Sequence, residues 1–193
     1  MNRGGVDVDV VSEIERLEEH LVAQQEKLAE LKRHLPPRAV DDYTLVGADG
    51  PVKLSQLFGD KTDLVVIHNM GKGCRYCTLW ADGFNGVLPH LENRVAFVVC
   101  SPDSIETQLQ FAESRGWKFR MVSGQGSSFT EDMGFRGDKS WMPGVSTFHK
   151  AADGKLYRVA KAPFGPFDPF SGIWHLFALL RDGVNDWEPR CKY

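Results

Sequence analysis

Leu64-Val65-Val66-Ile67-His68-Asn69-Met70-Gly71-Lys72-Gly73-Cys74-Arg75-Tyr76-Cys77 is the stretch on which the fold turns. Leu64 to His68 is continuous and rich in β-branched residues, the texture of a strand buried on both faces. The Gly71-Lys72-Gly73 turn stops that strand. Residues 75–92 then set Leu79, Trp80, Phe84, Val87, Leu88 and Leu91 along one side of a helix. The cysteine pair therefore falls at a strand-to-helix junction, with Cys74 at the helix start and Cys77 one turn on. The unpaired N–H groups and partial positive charge of a helix N-terminus favour a thiolate at Cys74, and Lys72 and Arg75 add positive potential. Cys77, deeper in the helix, is positioned to attack a mixed disulfide formed on Cys74. That is the division between nucleophile and resolving thiol in disulfide exchange.

Two other uses of the pair stand beside this one. A zinc site wants a second pair of ligands at suitable spacing, and His68, His90, His149 and Cys191 are too scattered to form one. The two cysteines can also be incidental core residues. His68 is the nearest titratable group on the strand below the dithiol. It is either a core histidine or a proton relay for Cys77. Cys100 ends a second strand, where a buried inert thiol is expected, and Cys191 falls in a C-terminal tail expected to be mobile.

Working outward, the texture alternates. Tyr43 to Val46 and Val52 flank an Asp49-Gly50 turn as a hairpin, and Leu54 to Phe58 makes one helical turn. Val95 to Val99 is a second buried strand. Ser104 to Arg115 is a helix stopped by Gly116, and Phe119 to Ser123 is a third strand. Val145 to His149 and Leu156 to Val159 flank the Ala151-Ala152-Asp153-Gly154 loop. Asp168-Pro169 opens a last helix running past Trp174 and Phe177. Strands joined by helices should be parallel and the hairpin strands antiparallel, which gives an α/β sandwich with a mixed central sheet and helices on both faces. Met142-Pro143 precedes a buried strand, where a proline presses against a dithiol site and shapes a substrate groove; both the cis and the trans bond are open there. Phe164, Phe167, Phe170, Trp174 and Phe177 are expected in the core, some of them lining a groove beside the dithiol.

Upstream, residues 1–10 read as a loose tail and residues 11–36 as an amphipathic helix. The Ser12–Glu15 capping box marks its start and Pro36-Pro37 its end, and residues 38–193 form the α/β domain. Ile14, Leu17, Leu21, Leu28, Leu31 and Leu35 keep heptad spacing, with Gln24 in the one polar seam position. Such a stripe must be covered, by its own domain or by a second copy in a homodimer.

Composition narrows the function. The 193 residues carry 23 Lys and Arg against 26 Asp and Glu, a net charge of −3. That balance argues against nucleic acid and against an anionic membrane surface as partners. No apolar run approaches the length needed to span a bilayer, and the Val–Asp alternation of Met1 to Val10 is not a secretory signal. A cytoplasmic, reducing location is therefore expected. In such a compartment a close pair among four cysteines is redox-active or metal-binding rather than structural.

The order of strand, Gly-Cys-x-x-Cys, helix, strand, helix, strand, Pro-led hairpin and last helix resembles the thioredoxin fold. Val99-Cys100-Ser101-Pro102-Asp103-Ser104 and Phe111-Ala112-Glu113-Ser114-Arg115-Gly116-Trp117 look like the peroxiredoxin-type branch of that superfamily. More narrowly, Gly73-Cys74-x-x-Cys77-x-x-Trp80-Ala81-Asp82-Gly83-Phe84 with Pro143-Gly144-Val145-Ser146 is similar to an uncharacterised thioredoxin-like bacterial family, a domain of unknown function. The resemblance covers about residues 38 to 190. It implies the fold; the placement of the dithiol then points to a thiol–disulfide oxidoreductase in which Cys74 attacks, Cys77 resolves and Pro143 shapes the substrate groove, with His68 the candidate relay and no cofactor or metal expected. Its partners would be a disulfide or thiol substrate and a cellular reductant. A non-catalytic binding or scaffold module is the alternative, and a thiol peroxidase the third. A peroxidase needs Pro-x-x-x-Thr/Ser-x-x-Cys. Aligned on Cys77 those positions hold Met70 and Cys74, aligned on Cys74 they hold Ile67 and Gly71, and the position usually given to Arg is Val145. Compared with thioredoxin, Tyr76 replaces the usual Pro between the cysteines.

Overall fold

A computed structural model describes residues 7–138 and 140–193. The chain divides into two compact units, one ending at Pro36 and one beginning at Pro37. The first holds one helix, α1 (Asp7–Arg33). It starts ahead of the Ser12–Glu15 pair, so residues 7–10 are helical rather than a loose tail; residues 1–6 of that tail lie outside the described residues. Asp9 falls in the first turn, where a helix N-terminus favours a carboxylate, so the start does not wait for the cap at Ser12. Lys32 and Arg33 complement the last turn. His34 Nδ1 lies 2.9 Å from the Glu30 carbonyl and closes the end before Pro36. The heptad residues Ile14, Leu17, Leu21, Leu28, Leu31 and Leu35 are all exposed.

The second unit alternates strands and helices. Its elements are β1 (Arg38–Val40), β2 (Thr44–Gly47), β3 (Gly50–Lys53), a 3-10 turn (Leu54–Phe58), β4 (Asp63–His68), α2 (Arg75–Gly86), α3 (Leu88–Arg94) and β5 (Ala96–Ser101). Then come α4 (Ile105–Arg115), β6 (Arg120–Ser123), α5 (Phe129–Asp132), β7 (Gly144–Lys150), β8 (Leu156–Pro163) and α6 (Ile173–Ala178). Among the described residues eight strands join one sheet in the order β1-β8-β7-β4-β5-β6-β2-β3. β4, β5 and β6, linked through helices, are parallel. Every other pairing is antiparallel, so the sheet is mixed.

Strand alternation sorts the core into two layers. On β4 and β5, Leu64, Val66, Val98 and Cys100 face a cluster completed by Phe58, Phe129 and Met133, from the 3-10 turn, α5 and its end. Ile67, Phe97 and Val99 face the other way, onto Trp80 and Ala81 of α2, Leu88 of α3, Ala112 of α4 and Trp174 of α6. The dithiol helix thus covers one face of the sheet and α5 the other.

Four elements differ from expectation. The helix over 75–92 is two helices, because Pro89 has no N–H to continue the first and instead takes an early position in the second. The last helix starts at Ile173, not at Asp168. Asp168 instead ties a loop: its carboxylate accepts the N–H of Gly165 at 2.8 Å and of Phe170 at 2.7 Å, and the indole N–H of Trp80 at 3.4 Å. β1 and α5 are too short to leave a periodic trace in the sequence.

Candidate functional site

The site is built where β4 ends. After His68 the chain turns through Asn69 to Gly73, and side chains hold this turn from two sides. The Asn69 side chain accepts the Gly71 N–H at 2.8 Å, and Asp103, after β5, accepts the Lys72 N–H at 2.7 Å. Gly71 sits at a φ of 107°, and a Cβ there would lie 3.1 Å from both Asp103 carboxylate oxygens. A side chain at this position would be strained twice over. Asn69 and Asp103 are site residues that sequence reasoning missed. They have no motif of their own and act only because β4 and β5 end side by side.

The turn delivers Cys74 as the N-cap of α2. Its Sγ accepts the Cys77 N–H at 3.1 Å, filling one of the donors that every helix start leaves open. The Cys74 carbonyl accepts from Thr78, from N at 3.0 Å and from Oγ1 at 3.0 Å. Cys74 is half-buried, whereas Cys77 is only 3% exposed, and its Sγ accepts the Met70 N–H at 3.4 Å. The two thiols are driven apart electrostatically. Cys74 is lowered from 9.0 to about 7, chiefly by hydrogen bonding to the Cys77 thiol, against the penalty of burial. The Cys77 and Tyr76 N–H groups and the Arg75 charge lower it further. Cys77 is pushed upward by that same hydrogen bond, by burial and by the Cys74 charge. The Arg75 charge, which the sequence suggested as an addition to the helix N-terminus, is therefore the smallest of the named effects on Cys74, and the hydrogen bond to the Cys77 thiol, which the sequence did not suggest, is the largest.

Pro143 stands at the same end of the sheet. β7 begins at Gly144, whose register partner is His68, and the Pro143 carbonyl accepts the Phe164 N–H at 3.0 Å. Among the described residues every peptide bond is trans, including that before Pro143. Met142 beside it is 43% exposed, and its N–H donates to the Phe135 carbonyl at 2.8 Å.

His68 is placed differently from the relay geometry. It follows Leu64 and Val66 in alternation, so its ring points to the face away from α2. It stacks on Phe135 at 4.2 Å and on Phe129 at 5.6 Å, and its Nε2 lies 2.9 Å from Ser146 Oγ. Burial, together with the Lys161 and Arg158 charges, lowers it to about 3, so it is a neutral core imidazole. The sheet itself separates it from Cys77, and the core-histidine alternative fits this placement. Cys100 is buried and raised to about 12 by burial. His149 is exposed and bonded to Asp63 at 2.9 Å.

Trp80 and Trp174 carry much of the packing behind α2, with Phe164 at 5.3 Å from Trp80 and Tyr76 stacked on Trp174 at 6.1 Å. Phe167 stands out of the core at 52% exposure. The C-terminal tail is not loose: Glu188 pairs with Arg75 at 2.6 Å and accepts the Tyr76 hydroxyl at 3.1 Å. Among the described residues no three His, Cys, Asp or Glu side chains gather to hold a metal ion, and no helix is long and apolar enough to cross a membrane.

A mixed sheet with a Cys-x-x-Cys pair at the start of the helix after its central strand, and a proline-led antiparallel strand beside it, defines a thioredoxin-like protein. Within that class the chain belongs to the DUF899 family, bacterial proteins of unknown function, whose family model matches residues 12–189. Peroxiredoxins are among the similar solved structures. A mutant of Xanthomonas campestris peroxiredoxin Q is 17% identical with a TM-score of 0.52, over 62% of this chain and 79% of that one. Reduced Prx3 of Vibrio vulnificus, in complex with hydrogen peroxide, is 12% identical with a TM-score of 0.57, over 69% and 90%. Peroxidoxin BcpB of Mycobacterium tuberculosis is 26% identical with a TM-score of 0.50, over 62% and 80%. A comparison with curated protein sequences finds no match.

Proposed function

We propose that the protein is a thiol–disulfide oxidoreductase in which Cys74 attacks and Cys77 resolves. The observation that carries this reading is the Cys74 Sγ held at the start of α2 by the Cys77 N–H at 3.1 Å, with the Cys77 thiol buried behind it. A thiolate favoured near neutral pH attacks a substrate disulfide; a second thiol within one turn then displaces the substrate from Cys74. Pro143 leads β7, whose first residue Gly144 pairs with His68 at the end of β4, and in this reading it shapes the groove that receives a peptide carrying the disulfide or thiol. A cellular reductant in a cytoplasmic setting completes the cycle. The peroxidase alternative shares the fold with its peroxiredoxin relatives but has Met70, Cys74 and Val145 where that chemistry wants Pro, Thr or Ser, and Arg. The scaffold alternative would leave the thiols without exchange. The exposed heptad of α1 supports a homodimer as the working form.

The test is a titration in reduced and oxidised glutathione, followed by alkylation of free thiols and peptide mapping. A Cys74–Cys77 disulfide that forms and reopens with the buffer ratio is expected. A titration in which both remain alkylatable throughout overturns the reading and leaves the scaffold.

A further inference from the structure

The C-terminal tail brings a third thiol to the same helix start. Trp187 packs edge-on against Phe177, with ring centres 4.8 Å apart, and against Trp174 at 6.4 Å. Glu188 is fastened to Arg75 and Tyr76. Arg115, itself paired with Asp82, donates to the Cys191 carbonyl at 2.8 Å. These anchors come from α6, α2 and α4, and together they aim one side chain. The Cys191 Sγ lies 3.8 Å from Thr78 Oγ1 and 3.9 Å from the Lys72 carbonyl. Thr78 Oγ1 is the hydroxyl bonded to the Cys74 carbonyl, and Lys72 is two residues ahead of Cys74. Cys191 therefore stands beside the N-cap from the tail side, half-buried, while Cys77 lies behind the N-cap and is buried.

We infer that Cys191 is a second resolving thiol for Cys74. This rests on the proposed exchange at Cys74 and adds a partner to it. Cys77 is buried behind the N-cap, whereas Cys191 is half-exposed and reaches the mixed disulfide from the solvent side. In the step, the Cys191 thiolate attacks the Cys74 sulfur of a Cys74–substrate mixed disulfide. The Cys191–Cys74 bond forms, the Cys74–substrate bond breaks, and the substrate sulfur leaves as a thiolate that takes a proton from solvent. Together with the first attack by Cys74, two protein thiols are oxidised and one substrate disulfide is reduced, a two-electron exchange with no further reactant. Cys77 can then attack Cys74 and release Cys191, a rearrangement that moves no net electrons. Cys74 thus has two disulfide partners within the protein, the buried Cys77 of α2 and the Cys191 that ties the tail across the helix start.

Oxidised glutathione is the probe. Cys77→Ser, Cys191→Ser and the double variant are each treated with it, quenched in acid and mapped by mass spectrometry. Cys77→Ser is expected to give a Cys74–Cys191 disulfide and to keep no glutathione, and the double variant to keep glutathione on Cys74. In Cys77→Ser, the further change Arg115→Gln removes the donor to the Cys191 carbonyl and should slow formation of that disulfide by about tenfold, as the local concentration of the thiol falls. Cys77→Ser that retains glutathione on Cys74 with Cys191 still alkylatable overturns the inference. So does a Cys74–Cys191 disulfide that forms no faster in the native protein than in urea. Cys191→Ser separates the two proposals: it should still form Cys74–Cys77, and its failure to do so counts against the dithiol reading rather than against Cys191.

Discussion

Cys74 has its character from one hydrogen-bonding position. With the thiol lowered to about 7 from 9.0, its alkylation by iodoacetamide should follow a midpoint near pH 7, ahead of Cys77 at every pH. Stopped-time alkylation with peptide mapping reads this directly, and a Cys74 midpoint near 9 or faster labelling of Cys77 would reverse the assigned roles. The linkage has a definite sign. A thiol whose folded value is depressed makes the reduced protein more stable above its unfolded value, near pH 9, and this gain is lost as the pH falls through about 7. Stabilising the thiolate also makes the disulfide easier to reduce. The place of Cys74 was legible in the sequence because a Gly-bounded turn after a strand fixes it at a helix start. His68 was not, since alternation puts it with Leu64 and Val66 but says nothing about which side α2 covers.

Among the elements, β7 carries a constraint that no sequence pattern announces. Gly144 opens it between the Phe135 ring and the Ala162 carbonyl, and a Cβ there would come within 2.6 Å of that oxygen. Gly144→Ala should therefore destabilise the protein by about 1–3 kcal/mol, as overpacked sites do, and lower Tm by roughly 5 °C for a chain of this size. An unchanged thermal melt would mean that β7 and β8 part without cost. α1 makes the opposite case, since its heptad is plain in the sequence. If those residues pair two copies, Leu21→Lys with Leu28→Lys should halve the mass measured by light scattering while the circular dichroism of the rest is kept. A full-length protein that already has the mass of one chain removes the homodimer. Helix bounds were less legible than helix existence: Pro89 splits α2 from α3, and Asp168 spends its carboxylate on a loop instead of a cap.

At the scale of the whole molecule, what escaped the sequence is what long-range contact decides. Strand direction followed from the alternation of elements, because helical links give parallel neighbours and tight loops antiparallel ones, whereas the order of the strands in the sheet did not. The meeting of Asp103 with the dithiol turn, and of Glu188 and Cys191 with α2, joins residues far apart in the chain, and composition makes a tail of that kind look free. The Arg75–Glu188 pair is about half exposed on both sides, so it is open to dissolved ions. From 0.01 M to 1 M salt the screening length falls from about 30 Å to about 3 Å. The tail should then loosen, and Cys74 should react faster with a neutral alkylating reagent in brine than in dilute buffer. Glu188→Gln should react at the faster rate in both, and equal rates for the unaltered protein across that range would show that the aromatic anchor at Trp187 holds the tail alone. One surface charge pair would in that way make the cell's ionic strength a throttle on the chemistry beneath it.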